Sequence, residues 1–180
     1  MNTQQYPLFI PPEQLTAKPH REWSKRESQL YFDWLMSAVS DRVSSLLRYL
    51  ALGSDETSLD RGDLIAVGDG VSRLLVTDDF SHQEGDSPRT LTNHGYAMAA
   101  DTGLLVAQLL QQARGSLIQW KILRSPKSDM SYNLPVLTGF GKLVLDPVGG
   151  SVAEATGLLS SYRGADAWVK MFDFWVEKAQ

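Results

Sequence analysis

The segment that most constrains the fold runs from about Leu91 to Ala113, where apolar side chains surround most of a predicted helix. A helix on a protein surface has one apolar stripe, whereas a helix that is apolar on most sides is buried on more than one side. Its longest apolar stretch, Ala97 to Ala113, is too short to span a membrane comfortably, which takes about 20 apolar residues, and it contains Asp101 and three glutamines. We therefore expect the other elements of the chain to pack around this helix.

Composition and charge exclude several classes of protein. The 180 residues are 43% hydrophobic and 21% charged, which is typical of one globular domain over residues 1–180. The absence of cysteine excludes disulfides, thiolate metal sites, iron–sulfur clusters and cysteine nucleophiles. The three histidines lack the spacing of a helical metal site, so we predict no metal and no cofactor. The net charge of −4 disfavours nucleic-acid binding, which needs a basic surface.

The N-terminal region predicts a cytoplasmic protein with an extended arm. Residues 1–5 carry no positive charge and precede no apolar run, so they do not have the pattern of a signal peptide. Within residues 1–23, four prolines forbid a continuous helix. Burial of large apolar side chains is expected to attach the arm to the core. These side chains are Phe9, Ile10, Leu15 and Trp23.

Helix signals recur along the chain. Ser24 and Glu27 have the spacing of a capping box, in which each side chain accepts a hydrogen bond from the other residue's amide. Asp146-Pro147 combines an N-cap carboxylate with proline at the first helical position. The C-terminal segment has a regular apolar stripe. Four predicted helices cover about residues 25–52, 91–113, 147–162 and 165–178.

Two details of the helical pattern stay open. Ser40-Asp41 is able to cap a second segment, so the first helix has an optional break over residues 37–41. The apolar residues of 64–76 have helical spacing, which slightly favours a fifth helix. However, Gly68-Asp69-Gly70 lies between two apolar runs, which also fits a β-hairpin.

The pattern changes after the central helix. Residues 117–123 and 136–145 alternate β-branched or aromatic residues with others, which predicts two strands. The segment between them is rich in turn-forming residues, so the strands are expected to form a small antiparallel hairpin over about 117–145. The predicted fold class is therefore α+β and predominantly α-helical, with about five helices.

The charge is concentrated in one segment. Residues 54–86 contain nine acidic and two basic residues, a net charge of −7, so the rest of the chain carries +3. Such a segment either keeps exposed loops soluble or steers a basic partner by electrostatic complementarity. As a binding surface it predicts a basic protein partner, such as a toxin domain. The candidate binding residues are Asp55, Glu56, Asp60, Asp63, Asp78, Asp79, Glu84 and Asp86.

A second hypothesis places a site inside the helical core. Asp101 lies on an apolar helix, where a carboxylate is costly to bury unless it is paired or hydrogen-bonded. His94 is about two helical turns earlier and shares a face with it. Tyr132 and Asn133, from the loop between the predicted strands, are possible additions to this pocket. The alternative function is therefore an enzyme of unfamiliar type, with a raised pKa at Asp101 as its expected signature.

Several short motifs occur together along the chain. They are Phe9-Ile10-Pro11-Pro12, Trp23, Lys25, Glu27, Tyr31-Phe32-Asp33-Trp34, Leu59-Asp60, Ala100-Asp101-Thr102-Gly103, Gln119-Trp120, residues 133–140 and Leu145-Asp146-Pro147-Val148. This set resembles a family of small bacterial cytosolic proteins whose members look like the immunity proteins of toxin systems. The resemblance implies that residues 60–77 are helical, although the glycines at 68 and 70 depart from the pattern. It implies no catalytic residues. We therefore favour a non-catalytic, immunity-like binding protein over an enzyme.

Overall fold

Helix α3, Asn93–Arg114, lies at the centre of the computed structural model, which describes residues 5–52 and 59–180. Every residue from 97 to 107 is buried, as the apolar circumference of this segment predicts. Four other helices of the described chain pack against α3. They are α1 (Lys25–Tyr49), α2 (Arg61–Leu75), α4 (Pro147–Leu159) and α5 (Ala167–Lys178).

Two small antiparallel sheets complete the described fold. Strand β1 (Ser81–His82), near the end of the acidic segment, pairs with β2 (Thr90–Leu91), which follows that segment. Strands β3 (Gln119–Ile122), β4 (Pro135–Phe140) and β5 (Leu143–Leu145) form the other sheet in that order. The α+β, predominantly α-helical class is thus confirmed.

The sheet over residues 117–145 has one strand more than a hairpin. The segment predicted as one strand over 136–145 turns between Phe140 and Leu143, and its two halves pair with each other. Gly141 lies at this turn with φ +65°, a conformation that glycine adopts without a Cβ penalty. The turn therefore divides the apolar run into β4 and β5.

The first helix begins at the predicted capping box and has no break. The Glu27 amide donates to Ser24 Oγ at 3.2 Å, and the Ser24 amide donates to Glu27 Oε2 at 2.7 Å. Residues 37–41 lie within the continuous helix Lys25–Tyr49, so Ser40-Asp41 does not begin a second segment. By sequence, Gly53 is a plausible terminating glycine for this helix, but it lies outside the described residues.

Residues 64–76 are helical over nearly their whole length, within α2. The two glycines that favoured a hairpin are buried contact points. A Cβ at Gly68 would lie 2.5 Å from the Ala165 carbonyl oxygen, and one at Gly70 would lie 3.0 Å from the Leu50 side chain. The glycines therefore allow α2 to pack closely against its neighbours. This packing offsets the cost of about 1 kcal/mol that each glycine imposes on a helix relative to alanine.

The N-terminal arm packs on the helices, but not through all of the expected side chains. Leu15 is buried, and Phe9 and Trp23 pack partly against the core. Ile10, in contrast, is 66% exposed, which corrects its predicted role as an anchor. Tyr6 is buried in its place. Short 3-10 helices at Glu13–Leu15 and His20–Glu22 interrupt the extended arm.

A close contact joins α3, α4 and α5. Ser151 on α4 donates to the Ala99 carbonyl of α3 at 2.5 Å, and its Oγ accepts from the Trp168 indole of α5 at 2.7 Å. A Cβ at Gly103 would overlap the Pro147 carbonyl oxygen at the start of α4. Small residues at these positions therefore set the spacing between α3 and α4.

Replacing Gly103 should test this spacing. We expect Gly103→Ala to lower the free energy of unfolding by about 3 kcal/mol, because a rigid carbonyl must move. Gly150→Ala on α4 is the matched control, since its Cβ would meet the flexible end of Met171 at 3.1 Å and the Leu145 side chain at an ordinary contact distance of 3.6 Å. That control should change stability by no more than about 1 kcal/mol in urea unfolding. Equal effects of the two substitutions would contradict the close contact.

Candidate functional site

The predicted acidic residues lie at two places along the chain. Asp55 and Glu56 lie outside the described residues. Asp60 and Asp63 form the capping box of α2: Asp60 Oδ1 accepts from the Gly62 and Asp63 amides, and Asp63 accepts from the Asp60 amide. These two carboxylates therefore stabilise the helix that follows them.

The other four acidic residues follow the C-terminal end of α2. Asp78 is 95% exposed at its side chain and pairs with Arg89 at 2.6 Å. Asp79, Glu84 and Asp86 are exposed, and their carboxylates make no hydrogen bond or ion pair with a described residue. We call Asp78, Asp79, Glu84 and Asp86 the acidic loop. Because α2 has 15 residues, it separates this loop from the Asp60–Asp63 cap by about 22 Å.

The acidic loop is held at its base. Thr92 caps α3 by accepting from the Gly95 amide, and its hydroxyl donates to the Asp79 carbonyl at 2.8 Å. Arg89 donates to the Ser81 hydroxyl at 2.8 Å and to the Ser81 carbonyl at 3.0 Å. The loop is thus attached to the first turn of the central helix while three of its carboxylates face solvent.

Asp101 lies in a buried network of hydrogen bonds and ion pairs. Arg42 binds it in a bidentate manner, with Nε 2.7 Å from Oδ1 and Nη2 2.7 Å from Oδ2. The Tyr6 hydroxyl donates to Oδ2 at 2.5 Å. Arg42 also donates to the carbonyls of Pro7 and Leu8. The carboxylate is therefore enclosed, and a substrate would have to displace the arm to reach it.

The four residues of the predicted core pocket separate into two groups. His94 Nδ1 lies 2.6 Å from the Tyr6 carbonyl, so His94 joins the Asp101 group through the arm. Tyr132 and Asn133 instead bind the arm further along. The Tyr132 carbonyl is 2.8 Å from His20 Nδ1. The side-chain amide of Asn133 donates to the backbone carbonyls of His20 and Trp23. All four residues therefore contact the arm, but at different points.

Burial dominates the electrostatics of Asp101. Burial raises the pKa of its carboxyl from the ordinary 3.8 to about 6, against the lowering effects of Arg42 and Tyr6. The pKa of Tyr6 is well above its ordinary value, chiefly through burial and then through the neighbouring Asp101 charge. A raised pKa at Asp101 was the expected signature of a catalytic carboxylate. Here enclosure accounts for it without any catalytic role.

The structure also contains a pocket that sequence reasoning missed. It has a volume of about 280 Å³ and lies between the arm, α1, α3, β4 and α4. Residues that are far apart in sequence line it, among them His20, Trp23, Tyr31, Tyr96 and Asp146. The aromatic residues follow helical or arm patterns typical of core positions, so no local signal identified them. Only the Asp146-Pro147 helix start was visible in the sequence.

Asp146 is the carboxylate of this pocket. Its Oδ1 accepts from the Gly149 amide at 2.9 Å, and its Oδ2 accepts from the Ser131 hydroxyl at 3.2 Å. Burial raises the pKa of Asp146 above its ordinary value, even though these hydrogen bonds and His20 act in the opposite direction. The hydrogen bonds and His20 therefore offset only part of the cost of burying the ionised Asp146 carboxylate.

Comparisons with models of protein families, with curated proteins and with solved structures each found no match to this chain. Among the described residues, no three His, Asp or Glu side chains are grouped in a way that would hold a metal ion. No helix in the described ranges has both the length and the apolar character needed to cross a bilayer.

Titration of Asp101 should test the enclosed network. Its pKa in the folded protein should be about 6, and Tyr6→Phe should raise it further by removing a hydrogen bond to the charged form. Between about pH 4 and 6 the folded protein then holds more protons than the unfolded chain. Asp101 should therefore contribute most to stability below pH 4 and less as the pH rises to 6.

Carboxyl NMR shifts and urea unfolding across this pH range measure both quantities. Asp101→Asn should abolish this part of the pH dependence. An Asp101 pKa at or below 3.8 would show that pairing with Arg42 outweighs burial and would contradict this account.

Proposed function

We propose that this chain is a non-catalytic protein-binding module, similar in action to an immunity protein, that uses its acidic segment to bind a basic protein partner. The observation that carries the proposal is the set of exposed carboxylates of Asp79, Glu84 and Asp86, none of which is neutralised by a described residue. The sequence resemblance to immunity-like proteins supports the same function.

Local structure favours binding by the acidic loop. Hydrogen bonds from Thr92 and Arg89 hold its base, so little ordering entropy is lost when a partner binds. Concentrated surface charge accelerates encounter with an oppositely charged protein. A basic partner would gain ion pairs at the loop without requiring the core to change.

The proposed mechanism is occlusion. Carboxylates of the acidic loop would pair with Lys and Arg side chains of a toxin's active site, where they compete with substrate phosphate. Because Asp60 and Asp63 lie at the other end of α2 and cap it, they are assigned a secondary role, in which they add long-range negative charge. Asp55 and Glu56 remain part of the proposed surface on sequence grounds.

Charge reversal tests this proposal. Wild-type protein should capture a basic protein from a lysate of its source cells at low salt and release it at high salt. With that protein purified, the triple substitution Asp79→Lys, Glu84→Lys and Asp86→Lys should slow association by about tenfold or more.

A matched control carries the same change of charge elsewhere: Glu13→Lys, Asp41→Lys and Glu177→Lys, all at exposed positions. The control should keep most of the wild-type association rate. If the two triple variants associate at the same rate, or if the captured proteins are not basic, the acidic loop is not the binding surface.

A further inference from the structure

Aromatic residues line part of the missed pocket. Trp23, Tyr31 and Tyr96 line it, and the ring centroids of Trp23 and Tyr31 are 5.2 Å apart. Hydrogen bonds hold Trp23 in place: its indole donates to the Lys18 carbonyl at 3.2 Å, and its own carbonyl accepts from Asn133. Faces of aromatic rings attract cations, and this attraction strengthens when the cation is removed from water.

One polar group of the pocket has no partner in the protein. Tyr31 is only 8% exposed as a residue, and its hydroxyl makes no hydrogen bond with any described residue. The hydroxyl oxygen itself is not fully buried, and Tyr31 lines the pocket. A ligand in the pocket would therefore be able to form a hydrogen bond with this hydroxyl in place of water.

The remaining polar groups of the pocket accept hydrogen bonds more than they donate them. Asp146 is a partly exposed residue, and its ionised carboxylate can accept hydrogen bonds but cannot donate them. His20 Nδ1 lies 2.8 Å from the Tyr132 carbonyl, which can only accept, so Nδ1 carries a proton. In the neutral ring Nε2 is then an acceptor as well. A ligand that donates hydrogen bonds complements this set.

An anion is poorly suited to the same pocket, although α4 begins there. Pro147 has no amide hydrogen, and the Gly149 and Gly150 amides donate to the side chain and the carbonyl of Asp146. The amides that usually bind anions at a helix N-terminus are thus already occupied. The Asp146 charge would also repel an anion.

We infer that this pocket binds a small organic cation, an amine carried on a short aromatic or aliphatic body. The ammonium group would lie near Asp146 and the Tyr31 hydroxyl, and the body would fill the space between Trp23, Tyr96 and the apolar wall. That wall consists of Pro11, Leu35, Leu134, Pro135, Val148 and Val152. At about 280 Å³ the pocket is at the small end of ligand sites, which limits the body to about one ring. This inference is independent of the acidic loop.

Calorimetric titration with three matched probes tests the charge preference. 2-Phenylethylammonium, 2-phenylethanol and 3-phenylpropanoate share a phenyl ring and differ in the charge of the head group. We expect the ammonium probe to bind at least about tenfold more tightly than the alcohol, and the carboxylate to bind more weakly than both. Equal or tighter binding of the alcohol or the carboxylate would overturn the inference, as would no binding of the ammonium probe at millimolar concentration.

Two substitutions in the pocket locate the ammonium group. Asp146→Asn keeps a good N-cap residue, so α4 should remain intact, but it removes the charge. It should weaken binding of 2-phenylethylammonium by about tenfold or more, and Tyr31→Phe should weaken it by a smaller factor. Circular dichroism melting curves confirm that each variant is folded.

Asp166→Asn at the start of α5 is the matched control, because it removes the same charge from another N-cap position outside this pocket. It should leave the affinity unchanged. If Asp146→Asn binds the probe as tightly as Asp166→Asn does, the ammonium group does not lie at Asp146. A variant of Asp146 that fails to fold is replaced by Tyr31→Phe together with Trp23→Leu, which must lower the affinity if the pocket is the site.

Discussion

The bidentate ion pair between Arg42 and Asp101 is the interaction on which the arrangement of this protein depends. The central helix buries a continuous run of residues, and one of them is a carboxylate. A buried charge is tolerated only when it is paired and hydrogen-bonded. Arg42 from α1 and the Tyr6 hydroxyl from the arm meet this requirement. Three segments that are distant in sequence therefore have to meet at one point.

This requirement has consequences at both candidate binding surfaces. The start of the arm is bound at the ion pair through the Tyr6 hydroxyl and the Pro7 and Leu8 carbonyls. The arm then continues past α1, and its last residues, His20 and Trp23, line the pocket. The N-terminal half of α3 contributes Tyr96 to the same pocket and, through Thr92, holds the acidic loop. A buried ion pair contributes little net stability, so its main role here is to specify where the arm lies.

Local signals in the sequence were enough to predict four of the five α-helices in the described part of the chain. The Ser24–Glu27 and Asp146-Pro147 caps are local hydrogen-bond patterns, and the burial of α3 follows from its apolar circumference. The structure of 64–76 required knowledge of what Gly68 packs against, which lies about 100 residues away at Ala165. The third strand depended on a turn at Gly141 that the continuous apolar run concealed. Such features depend on tertiary contacts, which override local propensity.

The candidate sites were less accessible from sequence than the fold. Asp101 and His94 stood out because polar residues on an apolar helix are unusual, but the partners that explain them, Tyr6 and Arg42, carry no distinctive pattern. The pocket is assembled from the arm, three helices and a strand, so no window of sequence contains it. Tyr132 and Asn133 were predicted to join Asp101 in one pocket, but their polar contacts are with His20 and Trp23 instead.

Hydrogen–deuterium exchange of Tyr6→Ala tests most directly whether the Asp101 network fixes the arm. This substitution removes the hydrogen bond from the arm to Asp101 but keeps Arg42 paired with Asp101. The amides of Leu15, Thr16, Glu22 and Trp23, which donate hydrogen bonds in the two 3-10 turns, should exchange at least about tenfold faster than in the wild type, while those of α5 should be unchanged. Unchanged exchange in the arm would show that other contacts hold it and would contradict the account.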